Sequence, residues 1–486
     1  MRRANGVIIF LGCVCGVLYF TGCRTPYLTQ DAHKAESRIR ELSAQNSSMV
    51  LEKSSSTQDG AEGAFDPSSI RRKGNGALLT PLLGELTHEE CIKIALLYNI
   101  ELIKQELELY KAGCEIRLAY ESVFPRFDLK ADANTLTPYN DSDKESYDIK
   151  LMLTQPLWRG GAISSAYRYA NYEYEKTRLT LWKQRDSVLH SVSSLYYEIL
   201  LKQELVKVYQ SAVDVSERLY NTTKSKFDGG TVSQYEVLRA EVEVANSKAE
   251  LLREENELSE LKLSIYNLMG VSESSNVTFV GELAIDEIPI DTSKANAFAL
   301  NNRIELLIAM CDIEKARENI NIVMAENRPQ IDLYASGGYG NSRGAASDWE
   351  DEWQLGISAT LRLDDISNHA KRTIARTEQE QAQAELRIQE KKVLSETANA
   401  IMQMSYAEQY YQSQKKNKAL SEEVLRMVEE GFKVGKNTQI EVLDARSALT
   451  EAVGGYHKSI YTMKQAHLNY NLAIGNINAE SLNLKY

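Results

Sequence analysis

Apolar and polar positions repeat along this chain with two distinct periods. Phe127, Leu129, Ala131 and Ala133 alternate with Asp128, Lys130, Asp132 and Asn134, and Tyr147, Ile149, Leu151 and Leu153 alternate with Asp148, Lys150, Met152 and Thr154. A period of two belongs to an extended strand with one apolar and one polar face. A second pair follows: Ile331, Leu333, Ala335 and Gly337, then Trp353, Leu355, Ile357, Ala359 and Leu361, interleaved with Gln354, Gly356, Ser358, Thr360 and Arg362. Four strands are predicted, at about 126–135, 147–158, 329–340 and 352–363, with polar loops within each pair. Aromatics gather near their ends (Phe124, Tyr147, Trp158, Tyr339, Trp349, Trp353), as in outer-membrane barrel strands. A half-exposed soluble sheet would carry the same alternation.

Elsewhere the period lengthens. Val188, Val192, Leu195, Ile199, Val206, Tyr209, Val213 and Tyr220 recur at alternating spacings of four and three, with Lys202 and Ser216 as lapses, which describes a coiled-coil seam. No proline falls between Pro156 and Pro289 or after Pro329, and no glycine between Gly161 and Gly229 or between Gly356 and Gly431. Breakers are missing where long helices would suffer from them. A helix over 162–228 would be about 100 Å long. A shorter helix is predicted from Thr87, which has capping-box spacing to Glu90, through Tyr120, with Cys91 and Cys114 both on it. Gly454 and Gly455 are expected to interrupt the last helix.

The chain also repeats itself. Phe227–Ala240 returns 205 positions later as Phe432–Ala445 with seven of fourteen residues identical, and Pro125–Leu129 and Glu101–Leu102 have counterparts in Pro329–Leu333 and Glu305–Leu306. Duplication sets the architecture before any local assignment. The organisation read from it is a signal peptide (1–22), a polar tether (23–85), repeat 1 (86–270), an inter-repeat segment (271–299), repeat 2 (300–475) and a tail (476–486). Each repeat is helix, strand, loop, strand, long helix, turn, helix. Four strands cannot close a barrel, and an open edge in lipid leaves backbone groups unpaired. Strands must be pooled with identical copies, giving eight from a dimer or twelve from a trimer.

Charge and cysteine usage narrow the chemistry. The net charge is −12, and removal of residues 1–22 takes away two arginines and no acid, which argues against nucleic acid as a partner. Arg2, Arg3 and the apolar run from Val7 to Phe20 read as an export signal. Phe20-Thr21-Gly22-Cys23 resembles a bacterial lipobox with Phe in place of the usual Leu; it implies acylation at Cys23, a plain signal peptide or uncleaved anchor being the alternatives. Cys91, Cys114 and Cys311 suggest no disulfide framework. The six histidines have no metal spacing, His88-Glu-Glu-Cys91 lacks the second His of a zinc helix, and Gly338-Tyr-Gly340 with Gly344 is a poor phosphate loop. No enzyme, metal or cofactor is expected.

Taken together, Asn99–Leu102, Phe124–Leu129, Thr154–Gly161, Gly230–Ala240, Asn267–Gly270 and their second-copy counterparts ending at Leu472–Gly475 resemble the TolC-like outer-membrane efflux protein family over Leu86–Gly475. The resemblance implies a mainly α chain with transmembrane β-structure: a two-repeat TolC-like fold whose long coiled-coil helices build a helical barrel, and whose four strands per chain join a trimeric twelve-stranded outer-membrane β-barrel. It also implies a passive channel-tunnel of a tripartite efflux system, lipid-anchored in the outer membrane and reaching into the periplasm, where a homotrimer works with a periplasmic adaptor and an inner-membrane pump. A type I protein-secretion outlet, or a non-conducting periplasmic coiled-coil scaffold, is the alternative. By motif, the acids narrowing the periplasmic aperture fall on Glu441 and Asp444, with Glu236 opposite. Phe432 and Asn437 stand where relatives hold the mouth closed with Tyr and Arg. Gly229, Gly230 and Thr231, and Val434, Gly435 and Lys436, occupy the hairpin tips that meet the adaptor.

Overall fold

A computed structural model describes residues 83–136, 144–273, 275–283, 294–341, 350–362 and 366–476. The export signal, Cys23, the tether up to residue 82, Trp349 and the tail from residue 477 lie outside these segments. The elements in chain order are β1 (Leu83–Leu86), α1 (His88–Tyr98), α2 (Ile100–Glu121), β2 (Arg126–Leu136), β3 (Lys144–Arg159), α3 (Ala162–Asp228), α4 (Gln234–Met269), β4 (Asn276–Phe279), α5 (Ala295–Asn302), α6 (Ile304–Ala325), β5 (Gln330–Asn341), β6 (Glu350–Thr360), α7 (Ile366–Lys433) and α8 (Gln439–Ile474).

Three local expectations are corrected. The helix expected from Thr87 to Tyr120 is two helices, because Asn99 leaves helical geometry (φ −63°, ψ 124°). Its Oδ1 accepts from Leu102 N at 3.0 Å and its Nδ2 donates to Leu268 O at 2.8 Å, so one amide caps α2 and ties it to the end of α4. Cys91 and Cys114 therefore sit on different helices. The segment assigned to the tether ends in a strand: β1 pairs in parallel with β4 from the inter-repeat region. And α8 runs unbroken through its diglycine, where a Cβ would stand 3.5 Å from Leu205 Cδ2 at Gly454 and 2.8 Å from Gln414 Oε1 at Gly455. These small residues let α8 lie close between α3 and α7.

The two long helices have 67 and 68 residues. Along one half the packing order is α4, α3, α8, α7; along the other it is α2, α3, α6, α7. The result is a helical layer in which α8 and α6 succeed one another between two through-running helices. The glycines that close α4 and α8 make this possible. Gly270 (φ 69°) and Gly475 (φ 72°) end their helices in left-handed geometry, and a Cβ would come within 2.2 Å of Tyr98 O or 3.2 Å of Asn302 O, where the next helix abuts. Two apolar cores sit near these joints. One gathers Cys91, Val192, Tyr196, Ile265, Met269 and Phe279; the other gathers Ala299, Leu306, Val393, Met404, Tyr470 and Ile474.

The four long strands form one antiparallel sheet in the order β2-β3-β5-β6, so the repeats meet at β3–β5 while β2 and β6 remain as edges. Register aligns Phe127, Leu153, Ala335 and Leu355 in one row and Leu129, Leu151, Gly337 and Trp353 in the next. This apolar face is bare: Leu129 is 74% and Trp353 72% exposed. The opposite face is polar. There Lys150 reaches Asp148 at 3.4 Å and Glu352 at 3.3 Å, and Arg159 pairs with Asp332 at 2.8 Å. Among the described residues no helix is long and apolar enough to cross a membrane.

Candidate functional site

The site is built at the two hairpin tips, where α3 turns into α4 and α7 turns into α8. Gly230 (φ 73°) and Gly435 (φ 75°) make the left-handed step of each turn, whereas Gly229 has φ −82° and closes the end of α3. Thr231 folds back on the first tip, its Oγ1 donating to Lys226 O at 2.9 Å; in the second, Lys436 N donates to Gly431 O at 2.8 Å. Val434, Gly435 and Lys436 are exposed, as are Gly229, Gly230 and Thr231.

The three acids expected at the aperture, Glu441, Asp444 and Glu236, have different environments. Glu441 completes a capping box with Thr438: its Oε2 accepts from Thr438 N at 2.7 Å and from Asn437 Nδ2 at 3.1 Å, and Glu441 N donates to Thr438 Oγ1 at 3.3 Å. The Thr438 backbone bond first, then the Asn437 amide, hold its carboxyl below the usual range. Asp444, one turn further, is exposed and has no hydrogen-bond or ion-pair partner among the described residues. Glu236 occupies the matching third position of α4 and is half-buried, while Ser233 makes no side-chain cap there. Of the pair on α8, only Asp444 keeps its carboxylate uncommitted.

Phe432 and Asn437 come to different ends. Asn437 serves its own turn, bonding Glu441 while its Oδ1 lies over Gly431, where a Cβ would come within 1.8 Å. Phe432 reaches the other hairpin: Lys226 Nζ stands 5.3 Å from its ring centroid. A second bond runs alongside, Gln439 Nε2 donating to the buried Thr223 Oγ1 at 2.9 Å. Sequence reasoning missed Lys226, Thr223 and Gln439. A signal existed for Thr223, since the seam through Val213, Ser216 and Tyr220 continues at the same spacing onto it, making it a third polar lapse.

Beyond the tips, each free edge of the helical layer carries an unpartnered seam. On α4, Tyr235, Leu238, Val242, Ala245, Ala249, Leu252, Asn256, Ser259 and Leu263 alternate by three and four and are all exposed. On α7, Tyr406, Leu420 and Met427 share one heptad position, with Met402 and Val424 beside them, again exposed. No extensive contact joins α4 to α7 within the chain.

The family model described as outer membrane efflux protein matches residues 91–271 and 298–476. The outer membrane protein TolC of Salmonella enteritidis is 22% identical over 413 residues, covering 80% of this chain and 82% of that one. The cobalt-zinc-cadmium resistance protein CzcC of Cupriavidus metallidurans is 23% identical over 400 residues, covering 79% and 90%. Among solved structures, the outer membrane protein VceC of Vibrio cholerae superposes with a TM-score of 0.69 at 18% identity, covering 80% of this chain and 96% of that one. With both repeats matched, the chain belongs to the outer membrane efflux protein family.

Proposed function

We propose that this chain is the passive outer-membrane duct of a tripartite efflux system, working as a homotrimer whose hairpin tips meet a periplasmic adaptor fed by an inner-membrane pump. One observation carries the reading: a four-stranded sheet with a bare apolar face and two unpaired edges continues into a helical layer with an exposed seam at either margin. Apolar rows facing lipid, edges completed by neighbouring copies and seams paired as coiled coils account for all three. A periplasmic scaffold has no use for the apolar sheet face.

In this reading the tips form the aperture. Asp444 supplies its uncommitted charge, with Glu441 one turn before it on α8 and Glu236 at the matching position of α4, and the exposed Gly229, Gly230, Thr231, Val434, Gly435 and Lys436 are the surface offered to the adaptor. Lys226 on Phe432 and Gln439 on Thr223 clip the two hairpins of one chain together, in place of the Tyr and Arg of relatives. A cation–π contact of about 0.5–1 kcal/mol at an exposed site and a hydrogen bond of about 1 kcal/mol make a latch weak enough for a partner to release. The test is planar-bilayer conductance of the purified protein. Lys226→Ala with Phe432→Ala should raise conductance several-fold, while Thr223→Cys with Gln439→Cys, once oxidised, should lower it reversibly. A protein that inserts as a trimer but conducts alike in all forms would refute the latch; one that forms no channel would refute the duct.

A further inference from the structure

The joint where α8 ends at Gly475 and α6 begins after Arg303 holds a group of charges that the duct reading does not use. Arg303 is buried and ties three helices at once. Its Nη1 donates to Leu472 O at 3.3 Å and Ala473 O at 3.1 Å, capping the negative end of α8; its Nη2 meets Glu396 on α7 at 2.6 Å; its Nε meets Glu305 on α6 at 2.9 Å. Glu305 then passes the tie to α3, where Lys183 Nζ lies 3.4 Å away. A cleft of about 450 Å³ opens over this relay, and Asp186 of α3 lines it with neither a hydrogen bond nor an ion pair to any described residue.

We infer that this joint is a proton-controlled tie between the through-running and the succeeding helices, in which Asp186 takes up the proton. Asp186 sits three residues from Lys183 on the same helix and faces Glu305. When it is neutral, Lys183 is left to Glu305 and α3 stays tied to α6. When it ionises, a second carboxylate confronts Glu305 and competes for Lys183, which loosens the link. The other charged and titratable groups around it are Arg185 and His190 on α3, Arg303 and Glu305 at the start of α6, and Glu396 on α7, while α8 lines the cleft with Asn469 and backbone carbonyls. Burial raises Glu305, but the charge and hydrogen bond of Arg303, helped by Lys183, leave its carboxyl below the usual range, so it stays ionised. For Asp186, burial and Glu305 outweigh Arg185 and lift the carboxyl from 3.8 to about 7. The folded chain thus retains a proton that the unfolded chain has released, so this group's contribution to stability declines as pH rises from about 4 to about 7 and is level above.

The experiment is amide hydrogen exchange on the purified full chain in detergent at pH 6 and pH 8, corrected for intrinsic rates. In the wild type, protection over 472–476 and 304–308 should fall about tenfold between pH 6 and pH 8. Asp186→Asn, which mimics the neutral form, should keep the pH 6 level at both. Lys183→Met should show the low level at both. Wild-type protection that does not change with pH, or an Asp186→Asn protein that still loses it, would overturn the inference; should that variant fail to fold, the wild-type series and Lys183→Met decide it.

Discussion

At the scale of single residues, Glu441 and Asp444, the two acids of α8 expected at the aperture, part company. Glu441 spends its carboxylate on the start of α8, whereas Asp444 faces outward without a partner. The charge that selects ions should therefore be mostly that of Asp444: Asp444→Asn is expected to reduce cation preference in planar bilayers more than Glu441→Gln does, and equal effects would contradict the assignment. Glu441→Gln keeps a weaker capping box. Its carboxyl is held below the usual range, so the cap contributes at neutral pH and is lost as pH falls through the acid range below about 4.5. Thr438→Ala removes the box from the other side and should cost about 1 kcal/mol, read as a lower urea midpoint for the tip. Thr438 and Glu441 have capping-box spacing in the sequence, and the resemblance to the family implies an aperture role for the same carboxylate. A single carboxylate that can either cap a helix or line a pore is not assigned by motif alone; the hydrogen bonds decide.

At the scale of elements, the long helices and the strands were legible because their periods extend over many residues, so a few exceptions did not obscure them. The exceptions proved informative. Lys202, one lapse in the α3 seam, ion-pairs with Glu257 and with the buried Glu254 of α4, the latter at 2.8 Å; Ser216, the other, bonds Ser247 at 3.1 Å. A polar residue at a seam position marks where another helix crosses with a polar partner. Lys202→Met should leave Glu254 only the Arg253 guanidinium of its own helix, at 3.1 Å, and lower stability by about 1–3 kcal/mol, while Lys202→Met with Glu254→Met should recover most of that loss. Denaturant midpoints of the two variants distinguish a buried ion pair from a solvated one. The break at Asn99 was not legible, since Asn is tolerated within a helix and only the meeting of α1, α2 and α4 fixes its amide as a cap. Strand β1 was missed for a related reason: four residues are too few for a period, and its partner β4 lies nearly two hundred positions away.

At the scale of the whole molecule, the decisive feature is that what is unsatisfied is unsatisfied twice. The edge strands β2 and β6, and the seams on α4 and α7, lie at opposite margins and are made of different residues, so joining copies is a heterologous, head-to-tail contact. Such contacts either close into a ring or run on as a filament. Counting residues from the tips at the helical rise, Val242 on α4 lies within one residue's rise, about 1.5 Å, of the level of Val424 on α7. A chain carrying both Val242→Cys and Val424→Cys should, on oxidation, yield a denaturant-resistant ladder that ends at three. Either cysteine alone should give no ladder beyond background. A ladder ending at two would keep the head-to-tail pairing but remove the twelve-stranded barrel, and one that continues upward would mean that the ring does not close. No cross-linking at all, with the protein monomeric in detergent, would mean that the exposed seams and sheet edges are covered by something other than this chain.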